Sequence, residues 1–294
     1  MELKRVLSSV LAAVLTVSAL AFTGCVGSAS SDGAGEITAE AVSGDAVSED
    51  TGIIADIKER GELVLGTASG YPPYEFVSTA DNNQIVGIDI ELGKAIADKL
   101  GVELKVTDMA FGELISALVT NKCDMAIAGM PETPERAKAI DFSDVYVNDE
   151  QTIFIRKDDA DKFKALADFD GHSVGVEKGS SCEEVANKEM TDSTIVSLAK
   201  VPDLFLELKN NKIDGIILPS VVGKQYVISD DTLGQVADTV QFTEKDKPCQ
   251  AAVNKGNDEF LQLVNEVIAE NQQNGNFDRW IEKYSKLANE QAGN

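Results

Sequence analysis

The sequence predicts an α/β protein built as two lobes, each a mostly parallel sheet flanked by helices. Three observations carry this. Apolar strand-like runs alternate with helical patterns from residue 62 to residue 129. The alternation restarts after residue 150. Two amphipathic helices then close the chain. Alternating strands and helices of this kind pack as parallel sheets with helices on both faces.

Each element has its own signal. "ELVLGTA", residues 62–68, reads as a buried strand, and "GYPPYEF" follows as a turn rich in aromatics. "DIELGKAIADKLG" spaces Leu92, Ile96 and Leu100 four apart and stops at Gly101, the pattern of a helix and its C-terminal glycine. "ELKVTDM" is the next strand. "FGELISALVTNK" puts Phe111, Leu114, Ile115 and Leu118 on one helical face, and "CDMAIAG" is a third strand. Beyond residue 150, "QTIFIRK", "HSVGVEKG", "STIVSLAK", "KIDGIIL" and "CQAAVNKG" read as strands. "SSCEEVANKEM" and "VPDLFLELKNN" read as helices between them. Phe260, Leu261, Val264, Val267 and Ile268 share a face of the first closing helix. Phe277, Trp280, Ile281 and Tyr284 share a face of the second.

A third helix is predicted to open within "MAIAGMPETPER", residues 125–136. Thr133 suits the N-cap and Pro134 the first helical position. Arg136 then falls in the first turn. A cation there opposes the helix dipole, so Arg136 calls for an anion.

The chain has 294 residues, 26 of them basic and 50 acidic, for a net charge of −24. That balance excludes the basic footprint of a nucleic-acid binder and charge-driven docking on anionic lipid. Lys4 and Arg5 precede the apolar run 6–22, the pattern of an export signal. Gly24 and Cys25 follow in "TGC", which resembles a bacterial lipoprotein lipobox, with Phe22 in place of the usual leucine. The resemblance implies cleavage after residue 24 and lipidation of Cys25, and two or more acyl chains, palmitate among them, anchor stably. Residues 25–52 are small and acidic and read as a flexible tether. Cys123, Cys182 and Cys249 lack metal-ligand spacing. Either Cys182 and Cys249 pair, or all three are small buried hydrophobes.

Six segments stand in one order at one spacing: "GTASGYPPYEF", "VGIDIELGKAIA", "FGELISAL", "AGMPETPERAKAIDFSDVY", "GVEKGSS" and "IDGIIL". Together they resemble the extracellular solute-binding proteins of polar amino-acid ABC transporters, family 3, over residues 60–285. The resemblance implies a two-lobed periplasmic-binding-protein-like fold of type II with a two-strand hinge. Lobe 1 would comprise 53–147 plus 251–294, and lobe 2 would comprise 148–250. The lobes would close by hinge bending over a polar amino acid or similar small carboxylate. A monomer would then present it to an ABC permease with its cytoplasmic ATPase, while lipidated Cys25 tethers it outside the membrane. No cofactor, metal or nucleic acid is implied.

The resemblance also assigns site residues. Arg136 matches the arginine that forks onto the ligand's α-carboxylate, a geometry lysine does not reproduce. The alternative is a surface arginine paired with Glu132 or Asp141. Gly129 matches a position where the backbone approaches the ligand. Ser180 and Ser181 sit where backbone N–H groups at a helix start receive an anion. A capping box of Ser181 with Glu184 accounts for the same residues without a ligand. Tyr71 and Phe111 match aromatics that flank the ligand side chain, although Phe111 also suits the core.

Three matched positions depart from the pattern. Pro219, followed by Ser220, stands where an acid usually holds the α-amine. Related proteins often carry an acid just before the first aromatic or two residues earlier, where this chain has Gly70 and Ala68, and Pro131 replaces a frequent serine or threonine. An unpaired ammonium buried on closure costs several kcal/mol. Either another acid holds the amine, Glu132 being one candidate, or the ligand is not a cationic or ordinary zwitterionic amino acid, which would disfavour arginine, lysine and ornithine most. His172 reads as structural. Without a nucleophile beside it, and without a phosphate-binding loop, the chain reads as a binding protein rather than an enzyme or ATPase. A sensory lipoprotein with the same fold is the alternative.

Overall fold

The computed structural model describes residues 52–236 and 240–292. The expected signal segment, Cys25 and the tether up to residue 51 lie outside the described residues.

The first lobe grows from the expected strand–helix alternation. Helix α1 (Gly52–Arg60) leads into strand β1 (Glu62–Thr67). A short hairpin pairs β2 (Phe76–Ser78) with β3 (Gln84–Val86). Helix α2 (Ile88–Leu100) buries Leu92, Ile96 and Leu100, and it ends where Gly101 turns left-handed and donates to the carbonyls of Ala97 and Asp98. Strand β4 (Glu103–Asp108), helix α3 (Leu114–Val119) and strand β5 (Met125–Met130) complete the run. β1 pairs in parallel with β4 on one side and β5 on the other. All six residues of β5 are buried, as expected of a strand covered on both faces.

Strand β6 (Ile140–Phe142) and the long β7 (Val147–Arg156) carry the chain onward. The second lobe repeats the pattern with β8 (Ser173–Glu177), α4 (Ser181–Glu189), β9 (Thr194–Leu198), α5 (Val201–Lys209) and β10 (Gly215–Pro219). β8 pairs in parallel with β9 and β10. Helix α6 (Ser220–Ser229) and strand β11 (Leu233–Gln235) follow. Strand β12 (Asp246–Asn254) returns to the first lobe, where α7 (Asp258–Gln273) and α8 (Asn276–Ala292) pack.

Two strands join the lobes. β7 and β12 pair antiparallel, with Lys247 opposite Asp149 and Cys249 opposite Val147. Beyond that stretch β12 pairs with β5 and β6 in the first lobe, while β7 pairs with β10 and β11 in the second. This is the expected type II architecture with its two-strand connection. The sheet order β4-β1-β5-β12-β7-β10-β8-β9 runs continuously through the joint.

Several expectations need correction. The helix expected to open at Thr133 is a single 3₁₀ turn, Arg136–Lys138. β6 begins at Ile140 and is held by β12, so sheet pairing takes the chain before a second turn can form. Phe111 opens a 3₁₀ turn, Phe111–Glu113, ahead of α3 rather than lying within the helix. Helix α6 had no clear signal, because its polar and apolar residues do not segregate to one face. Its Gly223 packs so tightly on Phe154 that a Cβ there would stand 2.0 Å from the ring. Cys123, Cys182 and Cys249 are all free and buried, so the Cys182–Cys249 bridge is absent. No helix among the described residues is long and apolar enough to cross a membrane.

Candidate ligand site between the lobes

Arg136 is 5% exposed although it belongs to a single exposed-flanked turn. Thr133 supports that turn: its Oγ1 accepts the Arg136 N–H at 3.3 Å and its carbonyl accepts Ala137 N–H at 2.9 Å. The guanidinium points inward. Nη1 donates to the Pro131 carbonyl at 2.7 Å. Nη2 donates across the lobes to the Gly179 carbonyl at 2.9 Å. Its Cζ lies 5.3 Å from the centroid of the Phe111 ring. Among the described residues no carboxylate forms an ion pair with it. Asp141 pairs with Lys255 instead, at 2.8 Å, and Glu132 is exposed. Burial lowers the pKa of Arg136, against the opposing fields of Glu184, Cys182 and Glu177. A three-residue turn has little dipole, so burial is what makes Arg136 call for an anion.

Gly129 lies at the end of the buried strand β5 with φ 52°, and a Cβ there would stand 3.1 Å from the Tyr71 ring. Its N–H donates to Asp89 Oδ2 at 2.8 Å. Tyr71 is buried, with its ring centroid 5.9 Å from that of Tyr74. Burial holds the Tyr71 hydroxyl well above its ordinary range, and Cys182, Glu177, Cys249 and Glu75 reinforce that. Those four groups come from both lobes and the joint, so Tyr71 stands where the three meet.

The opposing wall is the β8–α4 loop. Ser180 is the N-cap of α4, its Oγ accepting Glu183 N–H at 3.2 Å, while the Glu183 carboxylate accepts Gly179 N–H at 2.6 Å. The cap is therefore Ser180 rather than Ser181, and the expected Ser181–Glu184 capping box does not form. Ser181 Oγ instead accepts from Lys247 Nζ at 2.8 Å. Lys247 comes from β12 and is 2% exposed. Gly179, at φ 79°, lets the loop approach so closely that a Cβ would meet Gly112 Cα at 3.0 Å.

Of the remaining expected residues, Pro131 contributes its carbonyl to Arg136. Pro219 ends β10 opposite Gln151 of β7, and Ser220 starts α6. The Val221 N–H beside them donates to Asp149 Oδ2 at 3.1 Å. These two residues therefore sit at the joint, and no hydrogen bond ties them to Arg136. His172 faces Asp214 at 3.0 Å and meets the Phe163 ring edge-on, in keeping with a structural role.

The structure adds residues the sequence reading passed over. Glu177, the last residue of β8, is 5% exposed. Burial pushes its carboxyl up to about 7, opposed by Lys247, Lys200 and Arg136 in that order. Glu75 and Asp89 form a buried carboxyl pair behind Gly129, with Asp89 raised to about 6 by burial and Glu75 raised well above its ordinary value by burial and by Asp89. Lys200 crosses the seam to Asp108 Oδ1 and the Met109 carbonyl, both at 3.0 Å, and Tyr226 donates to the Gly70 carbonyl at 2.8 Å. A cavity of about 510 Å³ opens on this outer seam beside Lys200 and Tyr226, away from Arg136.

Residues 63–286 match the bacterial extracellular solute-binding proteins, family 3. The chain belongs to that family. Its relatives include an arginine-binding extracellular protein of Bacillus subtilis, 32% identical over 226 residues, which are 76% of this chain and 86% of that one. An L-cystine-binding protein of Escherichia coli is 27% identical over 80% of this chain and 86% of its own length. Among solved structures, an amino acid ABC transporter substrate-binding protein of Streptococcus pneumoniae bound to L-arginine superposes with a TM-score of 0.77. It is 33% identical, and the match covers 80% of this chain and 98% of that one. This solute-binding protein is therefore extracytoplasmic and belongs to an amino-acid ABC importer.

Proposed function

We propose that this protein captures a polar amino acid, or a similar small carboxylate, between its two lobes and delivers it to a membrane permease. One observation carries the reading. The guanidinium of Arg136 is buried at the meeting of the lobes, bonded to two carbonyls and paired with no carboxylate of the described chain. A buried cation without a counter-charge is costly, and a ligand carboxylate relieves that cost. Two donors of a guanidinium suit a carboxylate bidentately.

Around that contact, Gly129 brings backbone close to the ligand and the Ser180–Ser181 turn supplies N–H groups from the other lobe. Tyr71 and Phe111 bound the side chain. Pro131 sets the Arg136 orientation through its carbonyl, and Pro219 and Ser220 border the pocket from the joint. The moving bodies are 53–147 with 251–294 and 148–250, bending within β7 and β12. Lipidated Cys25 keeps the protein at the membrane, where a permease with its ATPase receives the ligand. The relatives named for arginine and cystine support an amino acid as cargo.

The test is a thermal-shift screen of residues 26–294 with L-arginine, L-glutamine and L-cystine, and with Arg136→Ala in parallel. A ligand at about 100 times its Kd adds about 2.7 kcal/mol to stability. A shift lost in Arg136→Ala supports the reading. A shift that survives Arg136→Ala, or none with any polar amino acid, overturns it.

A further inference from the structure

Glu177 presents a carboxylate that no described residue bonds. The residue is 5% exposed, yet among the described residues its carboxylate accepts no hydrogen bond and forms no ion pair. Its position follows from β8. Val174 and Val176 point into the apolar core of the second lobe, so the alternation turns Glu177 to the other face, at the carboxyl end of the strand. Two residues later the Gly179 carbonyl receives Arg136. Glu177 and Arg136 each feel the other's charge without touching. A buried carboxyl and a buried guanidinium thus border the same loop, with no ion pair between them.

An α-amino acid carries the complementary pair, an ammonium and a carboxylate on one carbon. We infer that Glu177 holds the ligand's α-ammonium, taking the place of the acid that Pro219 displaces. This rests on the reading of Arg136 given above.

The other acids nearby are poorer candidates. Glu75 is 1% exposed and its Oε2 also lacks a hydrogen-bond partner, but that oxygen is sealed from solvent and the carboxyl is bonded to Asp89 behind Gly129, away from the Arg136 loop. Glu132 is exposed, and its own N–H is spent on Gln250. Asp149 already accepts the Val221 N–H at the start of α6 and the Glu150 N–H of β7. Of these acids, Glu177 alone combines burial, an unbonded carboxylate and adjacency to the Arg136 loop. Burial disfavours its ionised form, and a bound ammonium reverses that preference. Lys247 and Lys200 keep the carboxylate tolerable between ligands.

The experiment compares each amino acid with its des-amino analogue by calorimetry on the full mature protein. The pairs are L-arginine with δ-guanidinovalerate and L-glutamine with glutaramate. Wild type is expected to prefer the amino acid by about 30-fold or more, the scale of leaving one partner of a buried charge pair unmatched. Glu177→Gln is expected to lose that preference, binding amino acid and analogue within about threefold of each other. Glu177→Asp, which keeps the charge, should retain part of it. Unliganded melting of Glu177→Gln close to wild type separates lost binding from lost folding. If Glu177→Gln keeps the full preference while Arg136→Ala loses both compounds, this inference falls and the Arg136 reading stands. If wild type binds none of the four compounds, both fall.

Discussion

Asp89 holds Gly129 from behind. Its Oδ2 accepts the Gly129 N–H at 2.8 Å while its Oδ1 accepts the Tyr146 hydroxyl at 2.8 Å. A helix residue of "GIDIELGKAIA" thereby fixes the Gly129 backbone, which the proposed function places against the ligand. Asp89→Ala should cost about 1–3 kcal/mol, since it leaves two buried donors unmatched. Urea denaturation would read the loss, and ligand affinity should weaken with it. Wild-type stability in this variant would show that the contact fixes nothing.

Lys200 and Asp108 form a latch between the lobes, with Nζ 3.0 Å from Oδ1. Both side chains are partly exposed, so the pair is worth about 0.2–1 kcal/mol after solvent screening. Lys200→Ala should speed ligand dissociation by about two- to fivefold and leave association nearly unchanged. Stopped-flow traces with a slower association and unchanged dissociation would contradict the latch.

Gly179 faces Gly112 across the seam, where an added Cβ would meet Cα at 3.0 Å, on backbone at φ 79°. Gly179→Val should therefore block approach of the lobes. Binding should fall by about tenfold or more, while the melting temperature without ligand drops only by the αL cost of about 1 kcal/mol. Equal affinity in Gly179→Val would mean that the lobes need not approach this closely.

Stability should decline as pH rises toward neutrality. Burial raises Asp89 and Asp149 to about 6 and Glu177 to about 7. For a raised acid the folded state binds the proton more tightly. Its contribution is present below the unfolded value and is lost as pH climbs through the folded one. Glu177 titrates facing Lys247, Lys200 and Arg136, with Tyr71, Glu75, Cys182 and Tyr226 also near. Asp230, lowered to about 2 mainly by Lys209, works the other way and loses its contribution in acid. Unliganded melting should peak at about pH 4 and fall toward about pH 8. A steady rise over that interval would refute the assignment, and Glu177→Gln should flatten the upper limb.

The three thiols should be silent in the folded protein. Cys123, Cys182 and Cys249 are buried, and burial raises the pKa of each. A thiol reagent should label none of them until denaturant is added, and reductant should leave the melting temperature unchanged. Rapid native labelling would show that the seam opens widely at rest.

Much of the fold was readable because its signals are local. Leu92, Ile96 and Leu100 sit four apart and Gly101 ends the helix, so α2 follows from spacing alone. The 3₁₀ turn at Arg136 was misread because Thr133 and Pro134 carry a genuine start signal, while the force that cuts the helix short is the pairing of Ile140–Phe142 with β12, more than a hundred residues away. The site divides in the same manner. Arg136 and Gly129 carry type and context together. Glu177 stood in plain view in "GVEKGSS", but the charges that face it, Lys247, Lys200 and Arg136, arrive from three other segments. Lys247 lay in a polar stretch and became a buried residue only when β12 met β7.

The joint built by β7 and β12 also sets an order of assembly. β12 lies between β5 and β7 in the sheet, so the first lobe lacks an interior strand until residues 246–254 exist. Residues 148–245, all of the second lobe but its share of the joint, precede that strand in the chain. During synthesis or export, that part of the second lobe is complete while the first still waits for its last strand and its two closing helices. The first lobe therefore starts earliest and finishes last. Its closure depends on contacts of long sequence separation, which form slowly. A chain cut short anywhere before β12 would leave the edge of β5 unpaired and open to association with another chain.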